Sequence, residues 1–263
     1  MALKLAIIGI GYIGSEIIKN LEKFQNKIEL KAVFDIEKDK MEKVADLHPH
    51  VRLMSSITDF DDCDIIVESA TQQVVETVFD KVIQSGKIFL PMSVGAFISF
   101  DNLYLKYTQL EESQKKLIKL PAGAIGGFDC IDALNLVGIQ KAKLTTRKPL
   151  KVFENHKFVK DHDLKLSENE KTLIFEGNAK KAAQIFPRSI NVAARLALST
   201  LGPEQTSVSI YSEPSLNKNI HEIEISSDVG EYKFSFQNNP SPINPRTSWL
   251  AALSILEILE KIS

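Results

Sequence analysis

The sequence predicts an α/β protein of two domains. The first is a doubly wound parallel sheet, the second an α+β domain with a mainly antiparallel sheet, and a C-terminal helix packs back. Three observations carry this reading: a glycine-rich turn between an apolar run and an amphipathic stretch, alternation of short strands with helices through about residue 90, and period-two patterns in the second half. The expected division places residues 1–119, with 245–263 returning, in the first domain and 120–244 in the second.

Each element has a local reason. Residues 3–8 are a short apolar run, followed by Gly9-Ile10-Gly11-Tyr12-Ile13-Gly14 and a stretch, 15–24, with Ile17, Ile18, Leu21 and Phe24 at helical spacing. Strand, glycine turn and helix in this order form the Rossmann-type dinucleotide fingerprint. The first glycine permits a tight turn, the second lets the backbone approach a pyrophosphate, and the third lets helix and strand pack closely. The helix N-terminus then offers free N–H groups to the anion, with Tyr12 and Ile13 at the turn. A second strand, 28–34, ends at Asp35, where a carboxylate can accept from the adenosine ribose hydroxyls. The competing role for Asp35 is a cap for the helix expected at 37–47, and the two are compatible. An acid here repels a ribose 2′-phosphate and favours NAD; nearby Lys38 offsets part of that repulsion, so NADP stays open.

Strands follow at 51–54, 65–67 and 87–90, with a helix at 72–84. Ser69 and Ala70 stand where the fourth strand ends, and Ser93 follows the fifth. In a doubly wound sheet both ends face the ligand crevice, so these small residues are cofactor-contact candidates, with helix caps and turns as the alternative. After a polar helix ending near Lys119 comes a loop with Gly123, Gly126 and Gly127, which opens another helix and suggests a close backbone approach. A strand at 142–146 precedes a polar, aperiodic stretch, 154–171, expected to be a solvated excursion. Strands return at 172–175, 206–211, 221–226 and 232–236 with one wet face. The last helix, 247–262, is apolar on most sides and is expected to be largely covered, against the first domain or at a subunit interface.

Composition narrows the function. The 263 residues are 44% hydrophobic and 25% charged, the balance of a globular chain with a full core. Thirty-two Lys plus Arg against 34 Asp plus Glu leave a net charge of −2, so no basic field draws nucleic acid. The apolar run 5–14 is too short to cross a bilayer and makes a poor signal peptide. Cys63 and Cys130 show neither a disulfide framework nor metal-ligand spacing. A reduced, cytoplasmic enzyme without a metal is the expectation.

Four motifs carry a resemblance. AGAIGGFDCIDAL at 122–134, FPRSINVAA at 186–194, NIHEI at 219–223 and NPRTS at 244–248 together resemble the L-aspartate dehydrogenases, over nearly the whole chain. Two departures are visible: the family often has serine where Ala122 stands, and 154–171 matches no part of its pattern. The resemblance implies that NAD(P) takes a hydride from Cα of L-aspartate, leaving iminosuccinate that hydrolyses to oxaloacetate and ammonia, with the reverse amination equally allowed. It implies a role in NAD biosynthesis or in aspartate synthesis. The family's acid–base histidine falls on His221, and its nicotinamide contacts fall on Ala124 and Asn191.

His221 is also the best placed of the five histidines, at the start of an expected strand; the competing reading is a strand-end imidazole satisfied by a backbone carbonyl. A dicarboxylate needs cations, for which Arg147, Lys148, Arg188 and Arg246 are candidates, with Arg147 and Lys148 favoured at a strand end. Asn219 joins them on the substrate side. The rival readings are a two-domain Rossmann oxidoreductase acting on another small substrate, and a sensor that binds NAD without turnover. A homodimer is the expected assembly.

Overall fold

The computed structural model describes residues 2–24, 27–187, 190–239, 241 and 248–263. The chain divides into two compact units, Met1–Pro121 with Ala251–Ser263, and Ala122–Leu250.

The first unit runs β1 (Leu3–Ile8), α1 (Tyr12–Lys19), β2 (Ile28–Phe34), α2 (Lys38–Leu47), β3 (Arg52–Leu53), β4 (Ile65–Glu68), α3 (Gln72–Gln84), β5 (Ile88–Pro91), α4 (Ala96–Ser99), α5 (Asp101–Gln109) and α6 (Glu112–Lys115). Its strands form a parallel sheet in the order β3-β2-β1-β4-β5. β1 is central because Leu5, Ala6, Ile7 and Ile8 are all buried, as a strand covered on both faces requires. Strand order reverses at β1, and the C-terminal ends of β1 and β4 lie at that switch, where open α/β sheets take ligands.

The helix expected at 15–24 differs in both bounds. It starts at Tyr12, inside the glycine turn, and ends at Lys19. Asn20 stops it: its side chain donates to Glu16 O (2.7 Å), and the chain tightens into a 3-10 turn at Leu21–Phe24.

The second unit contains α7 (Phe128–Asn135), β6 (Ile139–Lys148), α8 (Lys157–Asp161), β7 (Thr172–Asn178), α9 (Ala179–Ile185), α10 (Asn191–Leu198), β8 (Ser207–Ser212), β9 (Asn219–Ser227) and β10 (Gly230–Asn238). Its sheet order is β10-β9-β6-β8-β7. Every pair is antiparallel except β6 with β8, which run parallel. Alternation along the strands sets two faces. Ala142, Leu144, Ile223 and Ile225 are buried on one, while Lys143, Arg147, Glu222 and Glu224 lie on the other.

The chain ends in α11 (Trp249–Ile262), which from Ala251 onward belongs to the first unit. Ile255 and Leu259 are fully buried and join a core that includes Leu5, Ile7, Val33 and Leu90. Within the single chain, Trp249, Leu250 and Leu253 in the first turns of α11 stay 37–48% exposed. Among the described residues no helix is long and apolar enough to cross a membrane.

Candidate active site

The glycine turn of the first unit is built by contacts that reach 60 residues away. Gly9 takes φ +98°, and a Cβ there would lie 2.7 Å from Ser69 O. At Gly14 a Cβ would stand 2.2 Å from Gly9 O. Gly11 is different: its φ of −80° suits any residue, and no protein atom lies within 4 Å of an added Cβ. Nothing in the protein's own packing demands glycine there. Gly11 is also the N-cap of α1 and no side chain caps the helix, so the first-turn amides from Tyr12 and Ile13 stay open to an anion. An open cradle beside uncapped amides fits a pyrophosphate.

Asp35 spans the turn. Its Oδ2 accepts from Ile10 N–H (2.7 Å) and its Oδ1 from Glu37 N–H (2.9 Å), so it braces the glycine loop and leads the chain into α2. The cation beside it is Lys40, 3.9 Å away, rather than Lys38.

The hydroxyls of Ser69 and Ser93, expected to meet cofactor, each donate a bond within the scaffold. Ser69 Oγ donates to Gly9 O (2.7 Å). Ser93 donates from Oγ (2.9 Å) and from its N–H (3.0 Å) to the two oxygens of Glu68, whose Oε1 also accepts from Ala70 N–H (2.7 Å). The reason is physical: Glu68 is fully buried at the end of β4, and a buried carboxylate recruits the nearest donors.

Burial pushes Glu68 up from 4.5 to about 7, against the opposing pull of the bonds from Ser93, Ala70 and Thr71. Because the folded-state value is raised, the stability linked to this proton is complete below pH 4.5 and is lost as pH rises through about 7. That interval corresponds to about 3 kcal/mol. Urea melts should therefore find Glu68→Gln gaining on the wild type between pH 5 and pH 8 by about this amount. Parallel curves for the two proteins would refute it.

In the second unit the chemistry gathers on the inner face of the sheet. β9 places His221 directly opposite Thr146 of β6, and His221 Nδ1 lies 3.0 Å from Thr146 Oγ1. The bond fixes the ring and leaves Nε2 for other partners. His221 is 6% exposed, and burial, with the charge of Lys148, lowers it from 6.5 to about 3. The imidazole is neutral at physiological pH.

Lys148 follows Thr146 by two residues and so shares its face. Burial draws its ammonium down from 10.5 to about 8, and among the described residues no carboxylate pairs with it. Lys148 and Thr146 line a small pocket with Phe153, His156 and Phe186. Arg147, the other favoured cation, is corrected: strand alternation sends it to the opposite face, where it meets Glu213 (3.2 Å) and Glu222 (3.1 Å).

The glycine loop at 122–127 belongs to the same region. Asn238 Nδ2 donates to Ala124 O (2.7 Å), and Asn238 pairs in register with Asn219. A Cβ on Gly127 would stand 2.8 Å from the Phe234 ring, so the loop packs on the aromatic residues of β10. Asn219 lines a separate cleft with Lys151, Asn238 and Asn239. Asn191 opens α10, whose Ala193 lines the Lys148 cavity.

Comparison with known proteins decides the family. A model described as "Aspartate dehydrogenase, C-terminal" matches residues 129–262, and one described as "Homoserine dehydrogenase, NAD binding domain" matches 9–121. The L-aspartate dehydrogenase of Methanosarcina mazei is 36% identical, covering 99% of this chain and 97% of that protein. The chain belongs to the L-aspartate dehydrogenase family. That of Nitrosopumilus maritimus is 35% identical, over 98% of this chain and 96% of its own length. The crystal structure of aspartate dehydrogenase from Thermotoga maritima aligns with a TM-score of 0.76 at 26% identity, covering 100% of this chain and 97% of that one. The first unit is thus an NAD-binding domain.

Against this family background the sequence reading missed three residues and misjudged one segment. Thr146 was legible only as part of a basic run, Glu68 only as a strand end, and His156 only as one charge in an excursion. The stretch 154–171 is not simply solvated: Val159 is buried, His156 and Phe158 lie against Phe186, and α8 forms within it. Arg188 and Arg246, with Ser189 and residues 244–247 of the other two motifs, lie outside the described residues.

Proposed function

We propose that the chain oxidises L-aspartate to iminosuccinate with NAD, and that iminosuccinate then hydrolyses to oxaloacetate and ammonia, the reverse amination using the same groups. The observation that carries this is Lys148, a partly buried ammonium with no carboxylate partner among the described residues, on the same sheet face as the neutral His221. An uncompensated cation inside a protein is costly unless an anion arrives to meet it. A dicarboxylate supplies that anion.

NAD, when bound, supplies the acceptor for the hydride leaving Cα. The rest falls to the chain. Lys148 holds a substrate carboxylate as a point charge. Thr146 keeps His221 turned so that Nε2 meets the substrate. Neutral Nε2 takes a proton from the α-ammonium, because only the free amine can expel hydride from its carbon. Once His221 has released that proton to solvent, Nε2 takes one from the water that adds to the imine carbon and returns it to nitrogen as ammonia leaves. Burial is the main cause that holds His221 low; docking of the substrate against Lys148 cancels the lesser one, the lysine charge, and makes protonation of Nε2 easier.

The cofactor side uses Gly9, Gly11, Tyr12, Ile13 and Gly14 around the pyrophosphate, Asp35 at the ribose, and the backbone near Ser69, Ala70 and Ser93 at the strand ends, with Ala124 and Asn191 as nicotinamide contacts. Asp35 favours NAD, and Lys40 moderates its preference against NADP. Asn219 stays a substrate-side candidate. The exposed apolar side chains Trp249, Leu250 and Leu253 support a homodimer, and the free cysteines Cys63 and Cys130 support a reducing, cytoplasmic setting.

The test is NADH formation from L-aspartate, with D-aspartate, L-glutamate and L-alanine as controls and NADP as second cofactor. Turnover specific to L-aspartate and faster with NAD is expected. A folded protein that binds NAD and leaves all four amino acids untouched would send the assignment to another substrate or to a sensor.

A further inference from the structure

We propose that His156 is a specificity-determining residue, donating a second hydrogen bond to the substrate carboxylate held by Lys148. The inference rests on the aspartate reading and deepens it. Lys148 alone is a rotatable point charge and does not orient a planar carboxylate, which has lone pairs for several donors. A second donor on a different element fixes the plane.

His156 has that position and the right hydrogen. It lines the same cavity as Lys148 and Thr146. Its Nδ1 accepts from Phe158 N–H (3.3 Å) as the N-cap of α8, so the neutral ring carries its proton on Nε2. The ring is held by packing, 5.0 Å from Phe186 and 6.3 Å from Phe153 between centroids. Lys148 is close enough for its charge to add to burial in lowering His156, as it does for His221. His156 and Lys148 therefore line one pocket, a neutral imidazole able to donate beside an ammonium, and the same ammonium also acts on His221. A preoriented neutral donor beside a cation suits a carboxylate and adds no further like charge.

Two substitutions separate this role from helix capping. His156→Asn keeps a good N-cap and loses the atom at Nε2, whereas His156→Gln puts an amide N–H near Nε2 and weakens the cap. The expected result is that His156→Asn raises the KM for L-aspartate and the inhibition constant of succinate roughly tenfold or more, the loss of one hydrogen bond to a charged group. The KM for NAD should not follow, and His156→Gln should recover most of the loss. The opposite order, with Asn tolerated and Gln impaired, would mean a cap only and overturn the proposal. Lys148→Met, measured in parallel, distinguishes the failures. If it raises the aspartate KM while both His156 variants do not, His156 alone is misassigned. If the wild type does not oxidise aspartate, the underlying reading falls and this inference with it.

Discussion

Replacing His221 by alanine lowers kcat for L-aspartate oxidation by roughly 10²- to 10⁴-fold, the contribution typical of one acid–base side chain. NAD affinity, which depends on the first unit, is unchanged. A buried histidine can also matter structurally, because its removal leaves Thr146 Oγ1 without its 3.0 Å partner. His221→Asn answers this. Its amide occupies the Nδ1 position and keeps Thr146 satisfied, but nothing stands at Nε2. An acid–base role predicts that Asn restores stability and leaves the enzyme as slow as the alanine variant. Recovery of kcat in His221→Asn would remove His221 from the chemistry.

The pH profile sharpens the same expectation. In the free protein burial and Lys148 hold His221 at about 3, so kcat/KM has no acid limb at the ordinary 6.5. The bound dicarboxylate compensates Lys148, so the acid limb of kcat lies above that of kcat/KM. On the alkaline side Lys148 loses its proton near pH 8, and a neutral amine no longer attracts a carboxylate. The inhibition constant of succinate therefore rises above that pH, and Lys148→Met abolishes the rise.

These residues were not equally legible in the sequence. Gly9, Gly11, Gly14 and Asp35 act through local spacing, so a strand, turn and helix read from hydrophobic period place them correctly. His221 stands out through its motif, but its partner Thr146 lies 75 residues away and is set by the register of β6 on β9, which no local pattern encodes. Arg147 and Lys148 were indistinguishable because adjacent strand residues face opposite sides, and a one-residue uncertainty in phase exchanges their roles. His156 was hidden for another reason. α8 has five residues, too few to show a period, and its anchors Phe153 and Val159 are spaced by tertiary packing rather than by a helix repeat. Glu68 closes a four-residue strand that is otherwise entirely apolar, so its burial reads as an ordinary strand end.

Alanine at Gly14 and at Gly11 should fail in opposite ways. At Gly14 the new Cβ would stand 2.2 Å from Gly9 O, a backbone atom held by Ser69 Oγ, so α1 must move off β1. Overpacking of this kind costs about 3 kcal/mol or more and lowers the melting temperature by roughly 5–10 °C. NAD does not rescue it, since the displaced helix is the one whose amides would hold the cofactor. At Gly11 the φ of −80° accepts alanine and the Cβ meets no protein atom, so calorimetry without NAD should find the melting temperature unchanged. The methyl group instead occupies the space beside the open amides of α1. Titration should then find the Kd for NAD raised at least about tenfold, equivalent to 1.4 kcal/mol or more. Gly11→Ala with native affinity would place the pyrophosphate elsewhere, because the protein's own packing gives position 11 no other reason to be glycine.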